Sequence, residues 1–137
     1  LTDGKLASGF GPVFPNGVFN GAYKMDLGAV TPVSAVASWS FRSGNHRVAQ
    51  KLTIYGSSSQ TDPGWDLSKF TALGTIDSGP SKAPYLAASL QASNNNTLGN
   101  FRWIVWAVSP VSDLGGGENT AFQELSVEVA TSGNDAN

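Results

Sequence analysis

No stretch of this chain keeps its apolar residues at a helical spacing. Where apolar residues recur they alternate with polar ones or form short two-sided runs. Each run ends in a cluster of Gly, Pro, Ser, Thr, Asn or Asp. Period-2 alternation over a few residues is the mark of a half-buried strand, and closely spaced turn clusters leave no room for long helices. The pattern predicts an all-β chain of seven or eight short strands, folded as an antiparallel β-sandwich or jelly roll. With 137 residues, 40% apolar and 13% charged, it has enough apolar surface for one domain with a real core.

Residues 1–21 are rich in Gly, Pro and Phe and read as an irregular lead-in, with Phe10, Phe14 and Phe19 packing on a sheet. Residues 23–27 form a short strand that stops at Gly28, and Thr31-Pro32 marks a turn. Residues 33–41 follow as a separate strand with Ala35, Ala37, Trp39 and Phe41 on one face. Its small alanines point to close packing against a neighbouring sheet, which would put Trp39 in the core. The clearest strand is 50–57, where Leu52 and Ile54 oppose Lys51, Thr53 and Tyr55.

A turn cluster over 57–64 leads to Trp65, and residues 66–70 offer one helical turn with Asp66 or Ser68 as cap. Residues 72–76 and 85–90 read as short strands. Residues 101–108, FRWIVWAV, are apolar on both sides apart from Arg102, as a central strand requires. Residues 122–129 close the fold, with Leu125, Val127 and Val129 inward and Glu124, Ser126 and Glu128 opposite. The expected domain spans 1–130, and 131–137 is a polar tail or linker.

Several function classes fall away. The net charge is -2 and there is no basic run, so nucleic acid and anionic membrane are poor partners. Without cysteine there is no disulfide, thiol nucleophile or thiolate metal site. The single histidine, His46, leaves a His-based metal site without histidine partners. No spacing singles out a carboxylate pair for glycoside hydrolysis, and no nucleophile-elbow motif is present, so no enzyme is expected. No apolar run reaches the ~18 residues of a membrane-spanning helix. The first residue is Leu1 rather than Met, which reads as a mature product, a fragment or an excised module.

Binding residues are expected in the loop before the clearest strand. Phe41, Arg42, Asn45, His46 and Arg47 lie together there, just after Trp39. An aromatic face that stacks on a pyranose, joined to planar donors and acceptors for its hydroxyls, is the chemistry of a sugar site. The plain alternative is that His46 makes a local hydrogen bond and that Arg42 and Arg47 pair with carboxylates. Trp103 and Trp106 are three apart and must point to opposite faces of one strand. A core role is expected for both, and for Trp65 as a plug at the end of the sandwich.

The order of the pieces resembles the galactose-binding-like jelly roll, in particular discoidin (coagulation factor 5/8 type C) domains and family 32 carbohydrate-binding modules. Leu1-Thr2-Asp3-Gly4 runs on to Ser8-Gly9-Phe10, where such domains have threonine and tryptophan in place of Ser8 and Phe10. Asp26-Leu27-Gly28 ends a strand. An arginine-bearing loop, Leu52-Thr53-Ile54-Tyr55-Gly56-Ser57 and Asp62-Pro63-Gly64-Trp65 follow. Phe101-Arg102-Trp103-Ile104 and Glu124-Leu125-Ser126-Val127 complete the set. The resemblance spans residues 1 to 129.

That resemblance implies a structural calcium ion held by the side chains of Asp3, Ser8 and Glu124, with backbone carbonyls near Leu1, Lys5 and Phe122 as additions; oxygen ligands of this kind suit calcium. Otherwise Asp3-Gly4 is a turn and Glu124 a solvated charge. It also implies ligand contacts from the 41–47 loop. The expected function is non-catalytic glycan binding by a secreted or cell-surface module. The competing expectation is a structural or adhesive subunit of an extracellular assembly that binds protein. Phospholipid binding, as in some discoidin domains, has only Leu98 and Leu114 at loop tips in its favour, and the net charge opposes it.

Overall fold

The structure is a computed structural model that describes residues 21–42, 47–79, 81–93, 96–109 and 120–130. Six strands are seen among them: β1 (Gly21–Phe41), β2 (Lys51–Ser57), β3 (Thr71–Asp77), β4 (Tyr85–Gln91), β5 (Gly99–Val108) and β6 (Phe122–Val129). Their pairings are all antiparallel. One 3-10 turn, Leu67–Lys69, separates β2 from β3, and the Asp66 carboxylate caps it by accepting from the Ser68 backbone N–H.

The fold turns on β1. Its first part, from Gly21 to Asp26, pairs with Val108 to Trp103 of β5. Its second part, from Ala35 to Phe41, lies between β4 on one side and β6 on the other. β5 pairs on its far side with β2, and β2 with β3. A single long strand therefore serves two groups of neighbours, β3-β2-β5 and β4 with β6. The sheet curls so that its apolar faces meet, which makes an all-β antiparallel sandwich. A strand that changes partners through an irregularity is the usual way to turn such a corner.

The irregularity falls between Asp26 and Thr31, where the register with β5 shifts. Gly28 takes φ 87 there, a left-handed conformation that glycine adopts without steric cost. Its N–H donates to the Asp26 carboxylate at 2.8 Å. The sequence reading of a break at this point is right in place but not in kind: 23–27 and 33–41 are parts of one strand. That merger contributes to finding six strands among the described residues where seven or eight are expected.

The core joins both groups of strands. It holds Val33 and Val36 of β1, Leu52 and Ile54 of β2, Ile76 of β3, and Phe101, Ile104, Trp106 and Val108 of β5. Phe122 and Leu125 of β6 complete it. Packing is close: a Cβ on Gly56 would come within 2.7 Å of the Phe101 ring, and one on Gly74 within 2.8 Å of Leu90. β2 and β6 have the expected bounds to within one residue, and β5 is the expected central strand, buried on both faces.

Ala35 is buried as expected, but from Ala37 onward β1 is oriented opposite to expectation. Val36, Ser38 and Ser40 face inward and are fully buried, whereas Ala37, Trp39 and Phe41 face outward and are half-buried. Two serines are tolerated inside because Gln50, itself fully buried, meets them. Ser38 Oγ donates to Gln50 Oε1, and Gln50 Nε2 donates to Ser40 Oγ at 3.0 Å and to the Leu86 carbonyl at 3.2 Å. Ser40 Oγ in turn donates to the Val48 carbonyl. A buried polar group costs little once its hydrogen bonds are made.

Candidate functional site

The segment between β2 and β3 folds back over the outer face of β1 and β5, and long side chains from those strands hold it there. Trp103 Nε1 donates to the Ser59 carbonyl at 3.0 Å. Arg102 Nη1 donates to the Gln60 carbonyl at 2.7 Å. Lys24 Nζ donates to the Gly64 carbonyl at 3.0 Å and to the Asp62 carboxylate. Arg102 and Trp103 are adjacent in sequence yet both reach this segment, while Phe101 lies in the core. Strict alternation forbids that arrangement. The pairing of β1 with β5 is irregular at this point, with the extra residues of the shift in β1 between Asp26 and Thr31.

The tip of the segment is a Pro63-Gly64 turn, with Gly64 at φ 77 and its N–H donating to Asp62 Oδ1 at 2.9 Å. The turn delivers Trp65 to the surface, where it is 58% exposed. Lys24 Nζ sits 4.3 Å from the centre of the Trp65 ring, a cation–π distance, and 5.5 Å from that of Trp103. More than half of the residue stays exposed beside that contact. The expectation that Trp65 plugs the sandwich is therefore overturned. The Pro-Gly turn and its lysine tether lift the ring away from the core.

A cleft of 420 Å³ opens beside Trp65, lined by Ala22, Tyr23, Lys24, Met25, Trp106 and Leu125. It runs from the outer face around the edge of β1 to residues packed on the core. Tyr23 meets Phe122 edge-on at 5.9 Å. Burial pushes the Tyr23 hydroxyl up to about 12, so it stays a neutral hydrogen-bonding group at any ordinary pH.

Two ion pairs flank the aromatic surface. Asp62 is paired with Lys24. Asp26 receives both Nε and Nη2 of Arg102, at 2.8 and 3.1 Å, a two-pronged geometry that suits guanidinium and carboxylate. The hydrogen bond from Lys24, and then that from the Gly64 N–H, holds the Asp62 carboxyl below its usual range. Arg102 first and Gly28 second do the same for Asp26. Both carboxylates are therefore ionised at neutral pH, and each is balanced by its cation.

The loop residues expected to bind ligand are only partly in view. Asn45 and His46 lie outside the described residues. Phe41 ends β1, half-buried, on the same outward face as Trp39. Arg42 is exposed, and its Nη1 donates to the Lys82 carbonyl at 2.7 Å. Arg47 is 7% exposed, sits at φ 79, and accepts the Ala121 N–H on its carbonyl. A non-glycine residue in that left-handed region carries strain that its surroundings must hold in place. Phe41 and Arg42 stand at the opposite end of β1 from Lys24, so the structure does not bring this loop and Trp65 together on that strand.

Of the residues implied for calcium, Asp3 and Ser8 lie outside the described residues. Glu124 is 3% exposed on β6, opposite Trp39. That burial overturns the alternative of a solvated surface charge. Among the described residues no group of three or more acidic or histidine side chains could hold a metal. No helix among them is long and apolar enough to cross a membrane.

Trp103 is buried, as expected, but sequence reasoning missed the exposure of Trp65 and its contact with Lys24. The one available signal was the Asp-Pro-Gly-Trp turn, which exposes whatever follows it. Against known proteins, no family model, no curated protein and no solved structure matches this chain.

Proposed function

We propose that this chain is a non-catalytic carbohydrate-binding module whose ligand stacks on Trp65. The observation that carries this reading is the exposure of that ring, held by Lys24 at the mouth of a cleft. Large apolar side chains are normally buried, and a rigidly tethered tryptophan left open to water suits the apolar face of a sugar ring. The cleft beside it is lined by Tyr23 and has a floor of Ala22, Met25 and Leu125. A concave, mostly apolar surface with a few fixed polar groups is what a small-ligand site requires.

The remainder of the reading rests on the resemblance to discoidin domains and family 32 modules. In it the sandwich is a galactose-binding-like jelly roll in a secreted or cell-surface protein, without catalytic activity. Calcium would be held by Asp3, Ser8 and Glu124. If so, chelator lowers the unfolding temperature of the wild type and not that of Glu124→Gln. A glycan array run with wild type, Trp65→Ala and the Arg42→Ala, His46→Ala double variant tests the function. Selective binding lost only in Trp65→Ala supports the cleft. Loss only in the double variant moves the site to the 41–47 loop, and no binding by wild type rejects the function.

A protein-binding, adhesive role is the second reading. It is favoured by Tyr85 on β4 and Val129 on β6, both more than half exposed. Among the described residues β4 and β6 pair only with β1, and open strand edges recruit other strands. Concentration-dependent association in light scattering, without glycan, would support it.

A further inference from the structure

The cleft beside Trp65 contains a cation, Lys24, that is fully engaged. Its side chain is 8% exposed, and Nζ is shared between the Asp62 carboxylate, the Gly64 carbonyl and the Trp65 ring. The other cation nearby, Arg102, is bound two-pronged by Asp26. Asp62 keeps 60% of its own side chain exposed, so the face of the pair turned to solvent is the acidic one.

Resting on the glycan-binding reading above, we infer that Asp62 is a specificity-determining residue that restricts the Trp65 site to uncharged sugars. An ammonium group beside a stacking face would attract the carboxylate of a uronic acid residue. Asp62 neutralises that ammonium and repels a second carboxylate brought alongside. Because Lys24 and the Gly64 N–H hold the Asp62 carboxyl below its usual range, the pair stays closed wherever ordinary carboxylates are ionised. Asp62→Asn removes the charge but keeps the carbonyl oxygen that receives the Gly64 N–H, so the turn that presents Trp65 is preserved.

The experiment measures affinity for neutral and uronic acid oligosaccharides matched in linkage: β-1,4-mannan with β-1,4-polymannuronate, and β-1,4-glucan with β-1,4-polyglucuronate. Wild type is expected to favour a neutral member over its uronate by roughly tenfold, about one or two unscreened charge contacts in water. Its neutral binding should be unmoved between about 0.05 and 0.5 M salt, since no charge is exchanged. Asp62→Asn should narrow the preference by roughly fivefold, through tighter uronate binding. A wild-type preference for uronate, salt-sensitive neutral binding, or the same ratio in both proteins overturns the assignment of Asp62 while leaving glycan binding intact. Absence of binding to every member by both proteins overturns the glycan reading, and this inference with it. The wild-type ratio and its salt response decide the matter even if the variant does not fold.

Discussion

The two halves of β1 treat polar side chains in opposite ways. The second half buries Ser38 and Ser40 and satisfies them with Gln50, all neutral and all inside. The first half places Lys24 and Asp26 outside, pairs them with Asp62 and Arg102, and leaves a tryptophan in the open beside them. Neutral hydrogen-bonding groups can be sealed in a core at little net cost, whereas charges are cheapest at the surface. The buried set therefore fixes how β1, β4 and the chain before β2 fit together. In the outer set Lys24 is covered and fully engaged, and it is Trp65 and Asp62 that stay open to solvent and can meet a ligand.

If this division is right, the largest effect on folding comes from the inner set. Gln50→Ala strands the Ser38 hydroxyl and removes a donor from Ser40 Oγ and from the Leu86 carbonyl, and should cost about 3 kcal/mol in urea unfolding. A loss below about 1 kcal/mol would show that the network is not what orders this half of β1. Gly56→Ala comes next. It drives a Cβ to within 2.7 Å of the Phe101 ring beneath the outer site, and should cost about 1–3 kcal/mol. Trp65→Ala should change the unfolding free energy by about 1 kcal/mol or less, since more than half of Trp65 is exposed and Lys24 keeps its bonds to Asp62 and Gly64. A larger loss would make Trp65 a structural residue and break the contrast.

The smallest effect is on pH dependence. Asp26 and Asp62 have folded-state pKa values below their unfolded ones, so the unfolded chain binds protons first as the pH drops. Their contribution is present above the unfolded value of about 4 and is lost as the pH falls through the lower folded values. Acid titration of Asp62→Asn should show a shallower decline than wild type. At the alkaline end, Tyr23 ionises in the unfolded chain near 10 but in the fold only at about 12. Its contribution is complete below 10 and is lost as the pH rises through 12.

Much of the fold was legible because β2 and β5 carry their burial in their pattern; β6 keeps its expected bounds but not its expected faces, since Glu124 is buried and Val129 is more than half exposed. Leu52 and Ile54 alternate with polar residues, and residues 101–108 are apolar on both sides. The second half of β1 misleads by the same rule. Its alanines, tryptophan and phenylalanine resemble an inner face, and its serines an outer one. Only the distant Gln50 reverses the assignment, and no local pattern reports a partner twelve residues away. The outer site was hidden for a similar reason. Trp65 reaches Lys24 and Trp103 through the Pro63-Gly64 turn, which alternation does not encode.

The most direct test is fluorine NMR of the protein labelled with 5-fluorotryptophan. The chain has four tryptophans, so four resonances can be followed, with Trp65 assigned from Trp65→Phe. The expected result is a solvent isotope shift largest at Trp65, together with a shift of that resonance above all others when a glycan that the protein binds is added. A Trp65 resonance shielded from solvent, or one that stays still while another tryptophan responds to the glycan, would contradict the assignment of Trp65 as the binding surface.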